Sequence, residues 1–210
     1  MPNNINRQSF FGGVAVTVIY VRPGNTKGYI RVGVKSDEEK HDFSVSESEY
    51  RDAGSPMSGD DLTQDSFEEL YLADMKYRAK LKALRILSYG DNSERTLARK
   101  LSLSGISADI VRETVCEMVS LGYVNSERQI EKLILNEVSL HCHGPRKIMM
   151  KLMSKGYSKS EIQKVMDRLL ESGEIDFDAA AQRLLKNKLP TDADSEDIKK
   201  LLYKNGYYVC

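Results

Sequence analysis

The chain has 210 residues, with 31 Lys and Arg against 31 Asp and Glu and 40% apolar residues, enough to build packed cores in one or two domains. A formal net charge of zero points to no partner by itself, and no apolar run approaches the length of a membrane span. The N-terminus lacks the basic and apolar stretches of a signal peptide, and Cys116, Cys142 and Cys210 are an odd, widely spaced set that suits reduced thiols, so a cytoplasmic protein without membrane contact is expected.

In chain order, residues 1–13 are polar with two phenylalanines and read as a flexible tail. Residues 14–50 read as a small β-rich segment. Val14, Val16, Val18 and Tyr20 alternate with other residues, Arg22 to Gly28 is turn chemistry, Tyr29 to Lys35 is a second β-rich run, and a third short strand is expected around Asp42 to Val45. A three-stranded antiparallel sheet of this size is marginal alone and should lean on helices. Residues 51–66, with two glycines, a proline and several acids, read as a linker.

The rest is a repeat. Gly105, Gly156 and Gly206 stand 51 and 50 residues apart, and the flanking residues align: Leu101 with Leu152 and Leu202, Arg95 with Arg146, Val111 with Ile162, Met118 with Leu169, and Gly122 with Gly173. The spacing predicts repeat 1 over 67–124, repeat 2 over 125–174 and a truncated repeat 3 over 175–210. Each full unit has three helices, so the fold expected is mainly α: three tandem three-helix repeats, the last one truncated, in an elongated, curved array behind the β segment.

Helices are expected near 67–89, 93–104, 108–121, 126–141, 145–155, 159–172, 177–188 and 195–205. Asn125, Ser158 with Glu161, and Ser195 are placed to cap free amides of first turns, and Gly144-Pro145 is also a start. Gly105, Gly122, Gly156, Gly173 and Gly206 can take the left-handed conformation that closes a helix. Val111, Val115 and Met118, then Ile162, Val165, Met166 and Leu169, recur at the steps of one buried helical stripe.

Charge is unevenly divided. Residues 1–74 hold 7 Lys and Arg against 13 Asp and Glu, and residues 75–210 hold 24 against 18, so the helical part carries +6. From His141 to Leu170 seven basic residues face two acids. Lys147, Lys151 and Lys155 recur every four residues as one stripe, with Arg146 beside it and Lys159 and Lys164 beyond. Arg95, Arg99 and Lys100 form a shorter stripe in the first repeat. Acids to pair with these lysines along the same helix are missing, which suits phosphates or an acidic groove, and an ordinary solvated face is the plainer reading.

Other chemistry is thin. His141-Cys142-His143 is the one cluster of metal-ligand types; three consecutive helical residues point about 100° apart, so they should not converge on an ion, and no CxxC partner exists. No phosphate loop, nucleophile elbow or zinc-protease motif is present. No catalytic residue, cofactor or metal is therefore expected. Met149, Met150 and Met153 read as core filling.

Ala83 to Tyr89, Ser93-Glu94, Leu97 to Leu101, Gly105, Met118 to Asn125, Gly144 to Lys147, Leu152 and Lys155-Gly156 resemble, in order and spacing, the RecX family of recombinase modulators. The likeness runs from about Met75 to Gly206, and the β segment with its acidic linker is similar to the extension of longer members. Arginines common in the family near Gly90 and Asn92, and an aromatic at Ile130, are replaced here. The resemblance implies a non-enzymatic protein that lodges in the groove of the RecA–DNA filament and inhibits recombinase and coprotease activity in recombination and repair; a monomer is expected. By position, Arg95, Arg99, Lys100, Arg146, Lys147, Lys151, Lys155, Lys159 and Lys164 would face RecA or, weakly and electrostatically, DNA. A general helical nucleic-acid-binding module and an all-α protein-interaction scaffold are the competing readings.

Overall fold

The computed structural model describes residues 15–36, 39–190 and 193–208; the tail expected at residues 1–13, Val14 and Cys210 lie outside the described residues. It divides into two compact units, one holding the described residues up to Lys82 with Ile106–Ile110, the other holding Ala83–Gly105 and the residues from Val111 onward.

In the first unit β1 (Thr17–Pro23), β2 (Tyr29–Lys35) and β3 (Lys40–Ser46) form an antiparallel sheet in the order β1-β2-β3. Val18, Val32, Val34, Phe43 and Val45 are buried on one face, because alternate residues of a strand share a face. That face is covered by the first turns of α2 (Gln64–Ser88) through Phe67, Leu70 and Ala73, so the sheet leans on a helix as expected. Phe67 meets Phe43 edge-on at 5.3 Å. Buried Asp74 on α2 accepts from the Ser44 amide at 2.9 Å and from Arg78 Nε at 2.6 Å, which compensates the cost of burying its charge.

Two local features depart from the sequence reading. A six-residue helix, α1 (Glu47–Asp52), follows β3, started by a capping box between Ser46 and Glu49. Within the stretch read as a linker, the amides of Gly59 and Leu62 donate to Val18 and Val16 and the Val18 amide donates to Asp60, so these residues run along β1.

The helices after α2 follow the expected period. α3 (Glu94–Ser102), α4 (Ala108–Ser120) and α5 (Ser126–Ser139) are followed by α6 (Pro145–Ser154), α7 (Lys159–Glu171), α8 (Phe177–Lys188) and α9 (Ser195–Lys204). α6, α7 and α8 each begin 51 residues after α3, α4 and α5, and α9 begins 50 after α6. Val111 and Ile162 are both the fourth residue of their helices and both buried. Asn125 and Ser158 cap as expected, but the cap of α9 is Asp194 rather than Ser195, its carboxylate accepting from the Asp197 amide at 2.7 Å. The five helix-closing glycines all have positive φ. No described helix is long and apolar enough to cross a membrane.

The second helices of successive repeats are joined end to start. At the C-terminal end of α6 the Lys155 carbonyl accepts from the hydroxyls of Ser93 and Thr96, both at 2.8 Å, at the start of α3. Fifty residues on, the Asn205 carbonyl accepts from the Gly144 amide at 2.8 Å, and the Gly206 carbonyl from the Arg146 amide at 3.1 Å. Each joint has a buried tyrosine beside it: the Tyr157 hydroxyl donates to Gln129 Oε1 at 2.8 Å and that of Tyr207 to the Cys142 carbonyl at 3.0 Å. Burial pushes both phenols up to about 12.

Candidate basic interface

The cations singled out in the sequence fall into different environments. On α3, Arg95, Arg99 and Lys100 are exposed, and Lys100 donates to Asn92 Oδ1 at 2.6 Å. On α6, exposed Arg146 lies over the ring of Tyr203 at 5.0 Å, a cation–π contact that leaves one face of the guanidinium to solvent. Lys155, Lys159 and Lys164 are exposed.

Lys147 and Lys151 are different. Lys147 is half-buried and donates to Asn205 Oδ1 at 3.1 Å; burial, followed by the charge of Lys151, lowers its pKa. Lys151 reaches both oxygens of Glu137 on α5, at 2.8 and 3.1 Å. The α6 stripe therefore does have an acidic neighbour, supplied by another helix where spacing along α6 could not reveal it. Of the three lysines only Lys155 is a freely exposed cation.

Glu137 also meets His143 Nδ1 at 2.5 Å, with both side chains little exposed. Burial holds His143 below its usual value despite the opposing pull of Glu137. Burial works against ionised Glu137 too, but the hydrogen bonds from Lys151 and His143 outweigh it and lower its pKa. A neutral imidazole donating from Nδ1–H fits both directions.

His141, Cys142 and His143 do not sit on a helix. α5 ends at Ser139, and Cys142 has φ 50, the left-handed region. The two imidazoles stack at 5.4 Å while Cys142 is buried, so a turn, and not helical splay, parts the cysteine from the two histidines. Met150 and Met153 are 56% and 47% exposed and not core filling; Met149 alone of the three packs against the core.

What the tertiary structure brings together is Arg99 and Lys155, from different repeats. They line one cavity of about 360 Å³ along with Lys132 and Gln129 of α5. A second cavity, of about 280 Å³, shares Gln129 and Lys132 and adds Arg128 and Tyr123. The sequence reading missed Arg128 and Lys132, although their four-residue spacing on α5 is the same signal that marked α6. Arg95, Arg146, Lys159 and Lys164 line neither cavity.

No protein-family model matches the chain. Among relatives, it is 26% identical over 152 residues to a regulatory protein RecX of Caldanaerobacter subterraneus subsp. tengcongensis, covering 72% of this chain and 75% of that protein. It is 29% identical over 146 residues to one of Clostridioides difficile, covering 70% of this chain and 66% of that protein. A Listeria monocytogenes relative is 25% identical over 167 residues, which span 74% of this chain and 62% of the relative. Among solved structures, a crystal structure of a regulatory protein RecX superposes with a TM-score of 0.69 at 17% identity, over 92% of this chain and 95% of that one. RecX from Lactobacillus salivarius gives 0.53 at 20% identity, over 65% of this chain and 90% of its own. With the glycine-centred helices in the expected order, the chain is similar in sequence to relatives named regulatory protein RecX and shares the fold of the solved RecX structures.

Proposed function

We propose that this protein binds the RecA–DNA filament and lowers its recombinase and coprotease activity, acting as a monomer in the cytoplasm without catalysing a reaction. The observation that carries the reading is the joint at Lys155, which holds exposed cations of two successive repeats beside one another: Arg95 and Arg99 on α3, and Lys155 at the end of α6. A row of cations held by the fold meets polyanions at little ordering cost. Exposed Met150 and Met153 on α6 supply a soft apolar patch suited to a protein surface. Both kinds of contact are available to a regulator that touches protein and DNA together.

The test is DNA-dependent ATP hydrolysis and strand exchange by RecA with and without the protein. Inhibition at substoichiometric protein is expected, since a regulator seated on a filament blocks extension from few sites. Unchanged hydrolysis at saturating protein, with DNA binding retained, would favour a general nucleic-acid-binding module, which the cavity lined by Arg99, Lys132 and Lys155 would also suit.

A further inference from the structure

We infer that the paired cavities on α5 form a site for one phosphate–base unit of single-stranded nucleic acid, the phosphate among Arg99, Lys132 and Lys155 and the base against Tyr123. The inference deepens the filament-regulator reading by naming its DNA contact, and it rests on that reading for the choice of polymer.

The first cavity, of about 360 Å³, is lined by those three cations, which come from α3, α5 and the end of α6, and Asp91 is its one acid. The acid neutralises little, since Lys132 stands 3.9 Å from it and both side chains are largely exposed. The lining also includes Gln129, only 7% exposed. Its Oε1 accepts from Tyr157, while its Nε2 has no bonded partner among the described residues. No buried side-chain nitrogen or oxygen among the described residues lacks a partner, so that amide must reach solvent, and the solvent beside it is that of the two cavities it lines. A nearly buried donor left open in a cavity that three cations line asks for an acceptor that is anionic.

Phosphate fits better than carboxylate. A carboxylate is planar and is satisfied by one guanidinium fork, whereas this cavity is lined by an amide and by cations from α3, α5 and the end of α6, more donors than one carboxylate takes up and a number that suits the oxygens of a phosphate. The second cavity then supplies what a bare anion would not need. It continues from the first across Asp91, Gln129 and Lys132, adds Arg128, and is flanked by Tyr123, which is 55% exposed. An exposed ring one cavity away from a phosphate seat is where an unstacked base can lie, and bases in a duplex are not free to do so.

The experiment is fluorescence anisotropy of labelled oligo-dT with the full chain over a salt series. Lys132→Ala is expected to weaken binding about tenfold and to flatten the slope of log affinity on log salt by about 0.7, the value for one phosphate contact on a single strand. Tyr123→Leu is expected to weaken binding roughly five- to tenfold with the slope unchanged, because stacking releases no counterion. Lys186→Ala on α8, outside both cavities, should leave affinity and slope alone, and thermal melts should match for all variants. The site is overturned if the wild type does not bind oligo-dT, if Lys132→Ala and Tyr123→Leu bind like wild type, or if polyglutamate displaces the oligonucleotide as well as unlabelled oligo-dT does, which would mark a seat for an acidic protein segment. RecA ATP hydrolysis, measured in parallel, separates the two readings. Inhibition by wild type with oligo-dT binding untouched in the variants removes the site and leaves the regulator. Loss of oligo-dT binding in the variants without inhibition by wild type does the reverse.

Discussion

The hydroxyl of Ser93 donates to the carbonyl of Lys155 at 2.8 Å, so the residue that caps α3 also satisfies a carbonyl at the end of α6. Helix ends leave amides and carbonyls without partners, and here one end supplies what another lacks. The same relation returns in backbone form where the Gly144 amide meets the Asn205 carbonyl at 2.8 Å.

Ser93→Ala removes the cap and one of the two hydroxyls on Lys155, and we expect a loss of about 1–2 kcal/mol of stability. Ser158 caps α7 on an exposed surface, so Ser158→Ala should cost less, about 0.5–1 kcal/mol. Urea unfolding of the two variants side by side checks this, and equal losses would mean that the Lys155 bond contributes nothing.

Gly105 and Gly206 both close second helices at positive φ, +81 and +88, but a Cβ at Gly105 would meet nothing within 4 Å whereas one at Gly206 would stand 2.4 Å from the Lys147 nitrogen. Alanine at Gly105 should therefore cost only the left-handed backbone, about 1–2 kcal/mol. Alanine at Gly206 should cost about 1–3 kcal/mol more, because backbone must move to admit it. A difference near zero between the two unfolding free energies would show that the α6–α9 joint yields easily.

Protonation should weaken this fold near neutral pH. His143 titrates below its ordinary 6.5, so between the folded value and 6.5 the unfolded chain binds more protons than the folded one. Stability contributed by neutral His143 is thus complete above 6.5 and is lost as pH falls through that window. Glu137, lowered from 4.5, adds a second loss below that value. Urea midpoints from pH 7.5 to 5 should fall for wild type and stay flatter for His143→Asn, whose amide can still donate to Glu137 but cannot charge.

Charge reversal along α6 should not be uniform. Lys151→Glu sets a second carboxylate beside that of little-exposed Glu137; the lysine is 40% exposed, which screens the repulsion, so a loss of about 1–2 kcal/mol is expected. Lys155→Glu should leave stability within about 0.5 kcal/mol, because its side chain is exposed and only its carbonyl is structural. Lys155→Glu combined with Arg95→Glu should weaken filament binding several-fold with the melting temperature retained; unchanged binding would make these cations a solvated face.

Much of the fold was legible in the chain because its causes are local. Glycine at a left-handed closure, serine or asparagine at a first turn and apolar residues at three- and four-residue steps act over a few residues, so α3 to α9 and the period of 51 could be read directly. α1 escaped because six residues carry too little periodicity, and the cap of α9 was displaced by one residue because Asp194 and Ser195 both have capping oxygens. The site was less legible. That Lys147, Lys151 and Lys155 share a face of α6 follows from helical spacing; that Glu137 neutralises one and Asn205 holds another depends on which helices pack beside them. Arg99, Lys132 and Lys155 meet around one cavity although 33 and 23 residues separate them along the chain. Spacing decides what lies along one helix, and only packing between helices decides which charges are paired, which are free and which converge.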